Sequence, residues 1–284
     1  MIGELASLSN ALLNALGGTF GGKSTQLSSW RNTLRGTSST AMVIILFVIL
    51  FQLESLTLRV VLIGLASGCI GGLGLPFIYR AFSVGSISFV APVATLVQTF
   101  NLILFAIVVE NEQMSSTFLI AGALGVIGIF ACSRTSAGSV GASLEVFVLS
   151  VTAACLFTGF SLLMTLIENN EIVPALFGVR IGVLLVSVVF SPSKDKTAGG
   201  EKKQVMSKSW RKYALLSGAC EITGNLAYMF AITNLELSKV GIITASSPAL
   251  AVLIGIKLMK QKPLLINWLG IAATSGALAI IAIS

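Results

Sequence analysis

Glu221 places a carboxylate in the middle of a long apolar stretch, YALLSGACEITGNLAYMFAI. An ionised carboxylate at the centre of a bilayer costs on the order of 3 kcal/mol on insertion scales, so we expect it to face a cavity or a partner. Asn225 and Tyr228 follow at i+4 and i+7, which puts all three on one face of a helix. This stripe could bind an amine of a solute or carry a proton. The alternative is a structural clamp between helices.

Amide side chains form two further pairs with helical spacing. Gln98 and Asn101 are three residues apart in one apolar stretch, and Asn10 and Asn14 are one turn apart in another. Such groups can line a solute pathway, but membrane helices also use them for ordinary packing at about 0.6 kcal/mol per contact. Both interpretations stay open. Ser247 is a further candidate, because the internal repeat described below places it beside the counterpart of Gln98.

Arg35 and Arg180 occupy corresponding positions in the two halves of the chain, each near the start of an apolar segment. An arginine near a helix end can extend its charge to the membrane interface, which is a purely structural role. The sharper interpretation is that these arginines recognise a carboxylate or phosphate on a solute. Their repeat-related positions suit a symmetric pathway.

The composition excludes several catalytic classes. The chain has no histidine, and Asp195 is its single aspartate. Histidine-ligated metals, histidine bases and two-aspartate membrane proteases are therefore excluded. The four cysteines form no C-x-x-C pair and lie in apolar stretches, which argues against a zinc site or a disulfide framework. We expect no enzymatic activity, no metal and no cofactor.

One nucleotide-binding pattern does occur, since residues 17–24, GGTFGGKS, match the P-loop consensus. A working P-loop follows a strand and opens a helix, and it also needs a carboxylate after another apolar strand to hold magnesium. Here the glycines end an apolar segment, and Asp195 lies in a lysine-rich stretch. We interpret the pattern as a glycine-rich helix end that allows close packing, and not as an ATP site.

These residues must be positioned by membrane helices. Of the 284 residues, 55% are hydrophobic and only 10% are charged, against about 25% charged in soluble domains. A spanning helix needs about 20 mostly apolar residues. Ten segments meet this requirement: 5–22, 32–52, 60–82, 87–109, 116–133, 144–167, 172–191, 212–233, 239–259 and 264–283. The one long polar connection, 191–213, lies between the seventh and eighth segments.

The chain also repeats itself. With a shift of 150 positions, Ser67, Gly68 and Gly74 fall on Ser217, Gly218 and Gly224 in nearly gapless register. The halves are then 1–137 and 138–284, with five segments each. An odd number of spans in each half forces the two halves into opposite orientations, which is the inverted-repeat plan of secondary transporters.

Two stretches carry a family resemblance: LPFIYRAFSVGSISFVAPVATL in the first half and GNLAYMFAITNLELSKVGIITASSPAL in the second. Each has an alanine-bearing helix end, a short turn and a helix with serine and proline. A charged turn and a helix with spaced glycines follow. This pattern resembles the EamA-like proteins of the drug/metabolite transporter (DMT) superfamily. The resemblance implies a ten-helix carrier for small organic solutes, with a pocket formed mainly by helices 1, 3, 4, 6, 8 and 9.

We therefore expect an all-α integral membrane protein with ten transmembrane helices in two inverted five-helix repeats. Its expected function is to move a small polar organic metabolite by alternating access, with proton coupling or exchange as the two drive mechanisms. A passive channel and a scaffold that transports nothing are the alternatives. The expected partners are the solute and the lipid bilayer, and not nucleic acid.

The orientation in the membrane is predicted in two conflicting ways. Basic residues concentrate in the odd-numbered connections, and seven of them lie between Lys194 and Lys212. Positive charge favours the cytoplasmic side, so these connections would face the cytoplasm and both chain ends would lie opposite. The family that the chain resembles usually has both ends in the cytoplasm. We favour the charge distribution.

Overall fold

The computed structural model describes residues 2–51, 56–85, 87–111, 116–133, 144–190, 209–247, 249–251, 253–254 and 264–283. The regular structure of these residues is helical. The helices are α1 (Ile2–Leu27), α2 (Trp30–Ile49), α3 (Leu58–Val84), α4 (Ile87–Val108), α5 (Ser116–Ser133), α6 (Leu144–Met164), α7 (Ile172–Val189), α8 (Trp210–Ile232), α9 (Leu237–Thr244) and α10 (Leu265–Ile283). The expected boundary between the halves at 137/138 and most of the polar connection 191–213 lie outside the described residues.

Six helical stretches in the described part of the chain are long and apolar enough to cross a membrane. They are Trp30–Ile49, Leu58–Val84, Phe89–Val108, Leu144–Met164, Asn169–Val189 and Trp210–Ile232. Large apolar side chains such as Phe47 and Val189 are exposed on the outside of the bundle. Lipid covers such surfaces in a protein of this kind. The protein is therefore a multi-pass integral membrane protein, and the other four expected spans stay predictions.

The first and ninth segments differ from the sequence-based boundaries. The first helix does not end at its glycines, since α1 continues to Leu27. The P-loop pattern is therefore helical throughout and forms no phosphate-binding loop. In the ninth segment, α9 ends at Thr244, and helical backbone resumes at Ser247. Pro248 follows in the sequence, and because a proline has no backbone N–H it cannot donate the helical hydrogen bond to the carbonyl oxygen of Thr244.

Small residues let α3 and α7 pack backbone to backbone. A Cβ atom added at Gly64 would lie 2.1 Å from the carbonyl oxygen of Ala175, and one added at Gly178 would lie 2.3 Å from that of Val61. Spaced glycines in membrane helices allow this kind of close approach. Gly64, Gly68 and Gly72 are spaced four residues apart in the sequence, and all three lie against α7.

Two contacts define the ends of the bundle. At the upper end, where α1 ends and α8 begins, the Ser24 hydroxyl donates to the Trp210 carbonyl oxygen at 3.2 Å. At the lower end, where α1 begins and α8 ends, Gly3 lies against the side chain of Leu235. The Trp30 ring lies 6.4 Å from the Phe190 ring, so α2 begins and α7 ends at the upper end.

The direction of α6 follows from the direction of α3. Successive glycines of α3 meet successive residues of α7 in the same chain order, so the two helices are parallel and α3 ends at the upper end. Arg80, near the end of α3, is 2.9 Å from Glu145 at the start of α6. α1, the first helix of the first half, therefore begins at the lower end. α6, the first helix of the second half, begins at the upper end.

The remaining contacts between helices show where the apolar core lies. α1 packs on α8, α6 on α3, and α2 lies against both α7 and α8. α4 contacts α6 and α9, and α5 pairs with α10. The main apolar core joins α2, α3, α6 and α7, where Leu34, Ile45 and Leu176 are fully buried.

Candidate functional site: a polar cavity at the centre of the bundle

A cavity of about 260 Å³ lies between α1, α3, α4, α6, α7, α8 and the end of α9. Most of the side chains singled out in the sequence line it, although they come from five different segments. They are Asn10, Asn14, Gln98, Arg180, Glu221, Asn225, Tyr228 and Ser247. Two candidates, Arg35 and Asn101, do not.

The charged centre of the cavity is an ion pair between α7 and α8. Nη1 of Arg180 donates to Oε1 of Glu221 at 2.6 Å. The Arg180 side chain is 1% exposed and that of Glu221 is 21% exposed. The arginine is therefore enclosed by protein, while the carboxylate still reaches the open part of the cavity.

The packing of α7 explains why Arg180 is enclosed. Gly178 and Gly182 flank it and press against the backbone of α3, which brings the two helices together beside the guanidinium. Nε and Nη2 of Arg180 have no hydrogen-bond partner among the described residues. A buried guanidinium with two nitrogens unpaired retains an unused capacity to donate hydrogen bonds.

A group of hydroxyls lies beside the ion pair. The Tyr79 hydroxyl is 3.4 Å from that of Thr37, and the Ser217 hydroxyl donates to the Gly17 carbonyl oxygen at 2.9 Å. Tyr79 is close enough to Glu221 and Arg180 to interact with both charges. Sequence reasoning missed Tyr79 and Ser217 as lining residues. The signal for Tyr79 was a phenol within an apolar helix, because such a hydroxyl needs a polar partner.

Asn10 and Asn14 of α1 both line the cavity and make hydrogen bonds that hold the helices together. Nδ2 of Asn10 donates to the Gly224 carbonyl oxygen on α8 at 2.8 Å. Nδ2 of Asn14 donates to Oδ1 of Asn10 at 3.1 Å, so each amide supports the other. Asn10 is the more buried of the two. The cavity lining and the helix clamp, which the sequence left as alternatives, are therefore combined in the same residues.

Aromatic rings provide the apolar part of the wall. Phe157 and Phe160 of α6 line the cavity, as do Tyr79 and Phe82 of α3 and Tyr228 of α8. Small-molecule sites are typically apolar and aromatic with a few convergent polar groups that set orientation. The phenylalanines carried no signal in the sequence, because they resemble ordinary membrane-helix residues.

The structure places the other two candidates elsewhere. Arg35 is exposed, because it lies off the buried face of α2 that Leu34 and Ser38 share. The repeat correspondence with Arg180 therefore does not bring Arg35 to the cavity. Nδ2 of Asn101 lies 3.4 Å from the Thr158 hydroxyl on α6, and this long contact joins α4 to α6.

The break after α9 also meets the cavity. Thr244, the last residue of α9, and Ser247, where helix resumes, both line it. The Thr244 hydroxyl donates to the Val240 carbonyl oxygen at 2.9 Å, and the Ser246 hydroxyl donates to that of Ile243 at 2.8 Å. Side-chain hydroxyls thus satisfy carbonyl groups near the interruption, as irregular backbone within a membrane requires.

Comparisons with known proteins agree with this architecture. Residues 11–283 match the model of a family described as sugar transport protein. A Listeria monocytogenes protein named "Putative sugar uptake protein" is 23% identical over 232 residues, which is 76% of this chain and 77% of that protein. A solved crystal structure with 15% identity superposes with a TM-score of 0.73 over 98% of this chain and 96% of its own, which shows the fold. The chain therefore belongs to the sugar transport protein family, and it is a membrane transporter and not an enzyme.

Proposed function

We propose that this protein is a secondary transporter that moves a sugar across the membrane by alternating access between two inverted repeats. The observation that carries the proposal is the central cavity, in which amides, hydroxyls and an ion pair face aromatic rings. Its volume of about 260 Å³ lies just below the roughly 300–1,000 Å³ typical of small-molecule sites. A single sugar unit suits this size better than an oligosaccharide.

A sugar presents two kinds of surface that match this lining. Its hydroxyls both donate and accept hydrogen bonds, and the side-chain amides of Asn14, Gln98 and Asn225 can do both. Its ring faces carry C–H groups, which pack on apolar and aromatic surfaces such as Phe157 and Phe160. We assign the polar groups to orientation of the solute and the aromatic rings to contact area.

The proposed inverted repeats are supported by the helix directions. α1 begins at the lower end of the bundle and α6 at the upper end, as expected if 138–284 repeats 1–137 in the opposite orientation. The contacts correspond too. The pair α1–α8 matches α6–α3, and the pair α2–α8 matches α7–α3. This symmetry also supports ten spans and a relationship to the EamA-like transporters.

In this mechanism the solute binds where the halves meet, near the middle of the membrane. Glu221 and Arg180 lie close to the midpoints of α8 and α7, and Asn10 lies within α1. Rocking of one repeat against the other would expose these groups to each side in turn. Proton coupling through Glu221 and simple exchange are both compatible with such a cycle.

Counterflow in proteoliposomes tests the proposal. Vesicles loaded with one unlabelled monosaccharide should accumulate the same labelled monosaccharide transiently, whereas labelled amino acids, nucleotide sugars and organic phosphates should not accumulate. A channel would instead give single-channel currents in a planar bilayer, and a scaffold would move none of these solutes. Either result would refute the proposal.

A matched pair of variants on α8 links transport to the cavity. Asn225 lines the cavity, whereas Thr223 is exposed and its hydroxyl donates to Ala219 of its own helix at 2.8 Å. Asn225→Ala should raise the KM for the transported sugar about fivefold, because a lost hydrogen bond is worth about 1 kcal/mol. Thr223→Ala should leave KM unchanged. Equal effects of the two variants would dissociate the cavity from transport.

A further inference from the structure

The starts of α2 and α8 lie together at the upper end of the bundle and share a local sequence. Each helix begins at the tryptophan of a Ser-Trp-Arg sequence, with Trp30 and Arg31 in α2 and Trp210 and Arg211 in α8. The guanidinium carbon of Arg31 lies 4.9 Å from the centroid of the Trp30 ring, and that of Arg211 lies 5.8 Å from the Trp210 centroid. Tryptophan and arginine side chains are typical of the level at which a membrane helix reaches the lipid headgroups.

The two helices pack closely at this level. A Cβ atom added at Gly36 of α2 would lie 2.8 Å from the Cβ of Ala214 and 3.3 Å from the ring of Trp210, both on α8. The ring over which Arg211 lies therefore contacts the residue that follows Arg35. Cations from two different helices are thus gathered at one junction.

These cations have no acidic partner nearby. The exposed cations at the junction, which we call the upper basic patch, are Arg31, Arg35, Arg211 and Lys212. None of them makes an ion pair within the described part of the chain. Glu145 is the one described acidic residue at the upper end, and it pairs with Arg80 at 2.9 Å. The patch is therefore a surface of uncompensated positive charge.

Apolar surface continues directly below the patch. On α2, the face that carries Arg35 continues through Val43 and Leu50, which are 67% and 63% exposed. On α8, Leu215 lies one turn after Arg211 and is also exposed. These side chains face the hydrocarbon of the membrane, as expected for the outside of a membrane bundle. A ligand with an anionic head and apolar tails would contact both surfaces at once.

From this arrangement we propose that the upper basic patch binds the phosphate headgroup of an anionic phospholipid. Guanidinium groups bind phosphate oxygens through paired hydrogen bonds, and basic clusters between membrane helices hold anionic headgroups. The acyl chains lie along the apolar faces of α2 and α8 below the patch. A lipid held by both helices opposes their separation, so it stabilises the junction. This site gives a role to Arg35, which does not line the cavity.

The headgroup is selected by charge and the lipid by its tails. Each basic residue near the membrane surface is worth roughly fivefold in affinity for anionic lipid. Phosphatidylcholine has the same phosphate, but its quaternary ammonium cancels the charge and is repelled by the cations of the patch. Inorganic phosphate has the charge but no acyl chains to pack on α2 and α8. Phosphatidylglycerol, phosphatidylcholine and inorganic phosphate are therefore the three probes that separate these contributions.

The first experiment measures binding of the three probes to the purified full-length protein in detergent. Native mass spectrometry counts the bound lipids, and the Tm is followed as each probe is added. We expect phosphatidylglycerol to bind at least tenfold more tightly than phosphatidylcholine and to raise the Tm, with a preference that weakens in high salt. Equal affinity for the two lipids would overturn the proposal. An equal rise in Tm with millimolar inorganic phosphate would assign the patch to a soluble anion and also overturn it.

Variants then locate the binding site. The double variant Arg31→Gln/Arg35→Gln should raise the apparent Kd for phosphatidylglycerol at least tenfold and leave phosphatidylcholine binding unchanged. Arg35→Lys keeps the charge and should retain most of the preference. A double variant that folds and still prefers phosphatidylglycerol as strongly as the wild type would overturn the proposal. Size-exclusion profiles establish folding, and if the double variant misfolds, the single variants Arg31→Gln and Arg35→Gln decide by the same comparison.

Two exposed arginines outside the patch are matched controls. Arg80 lies at the same end but is already paired with Glu145, and Arg59 lies at the lower end, near the start of α3. Arg80→Gln and Arg59→Gln should keep the Kd for phosphatidylglycerol within about twofold. A loss in both controls as large as that in the double variant would show a general response to positive charge, and the patch would then not be a specific site.

Discussion

Gly68 of α3 and Val179 of α7 approach so closely that a Cβ atom added at Gly68 would lie 2.2 Å from the Val179 carbonyl oxygen. Arg180 is the next residue along α7, and its guanidinium lies within the cavity wall. A contact that looks like simple packing between membrane helices therefore also determines the position of the buried cation.

Gly68→Ala should destabilise the protein. The added methyl group meets backbone rather than a flexible side chain, so α3 and α7 must separate. Overpacking of this kind costs roughly 1–3 kcal/mol. We expect a lower Tm in detergent and weaker transport, because Arg180 moves with α7.

The matched control for Gly68 is Gly125 of α5, where an added Cβ would meet no atom of the described residues within 4 Å. Gly125→Ala should be neutral or slightly stabilising, since alanine is favoured over glycine in a helix interior by about 1 kcal/mol. The same Tm loss in both variants would show that close packing of α3 on α7 is not the cause.

The two partners of the ion pair should differ in their contribution to stability. Removing one partner of a buried pair costs about 3–5 kcal/mol, because the other charge is left uncompensated. Glu221→Gln leaves the enclosed Arg180 unpaired, whereas Arg180→Gln leaves a carboxylate that reaches the cavity. We expect a larger Tm loss for Glu221→Gln. The double variant should regain part of that loss, and strictly additive losses would show that the pair is not coupled.

Gln98 and Asn101, one turn apart on α4, should behave differently. Gln98 lines the cavity, whereas Asn101 makes long contacts to Thr158 and Cys155 of α6. Gln98→Ala should raise the KM for the transported sugar several-fold with little change in Tm. Asn101→Ala should leave KM within about twofold and lower stability by about 0.6 kcal/mol at most. The reverse pattern would place the solute on the other side of α4.

Membrane orientation can be tested at two exposed positions. Ser83 lies near the upper end of the bundle, at the end of α3, and Glu236 lies at the lower end, beyond α8. The concentration of basic residues in the odd-numbered connections predicts that the upper end is cytoplasmic. In a background without native cysteines, Glu236→Cys should react with an impermeant maleimide in intact cells. Ser83→Cys should be protected until the cells are opened. Labelling of Ser83→Cys alone would favour the orientation usual in EamA-like proteins.

The sequence alone was sufficient to predict a helical membrane protein and most of the polar lining. Long apolar segments leave the backbone no alternative to helices in lipid, since every N–H and C=O must bond within the segment. Polar groups such as Glu221 and Asn225 are costly against lipid, so they must face inward. Because a polar side chain is costly against lipid but not inside the bundle, most candidates chosen by residue type lie at one cavity.

Helix ends were less predictable. The glycines of α1 predicted an end near residue 22, but α1 reaches Leu27, because glycine weakens a helix by only about 1 kcal/mol per residue and packing on α8 offsets this. The break after Thr244 lies inside a segment that reads as one continuous span. The segment is apolar on both sides of the break, so hydropathy did not locate it, and Pro248 was the one local signal for an interruption.

Only the tertiary structure decided which residues meet. Arg35 and Arg180 are equivalent by repeat position, yet one is exposed and the other is enclosed beside Glu221. Phe157 and Phe160 look like core residues until the packing of α6 places them at the cavity. Periodicity determines which face of a helix a residue occupies, but not which helix lies opposite that face. The neighbour is set by how the helices pack, as where the glycines of α3 meet α7, and only the assembled bundle places Arg180 of α7 beside the carboxylate of α8.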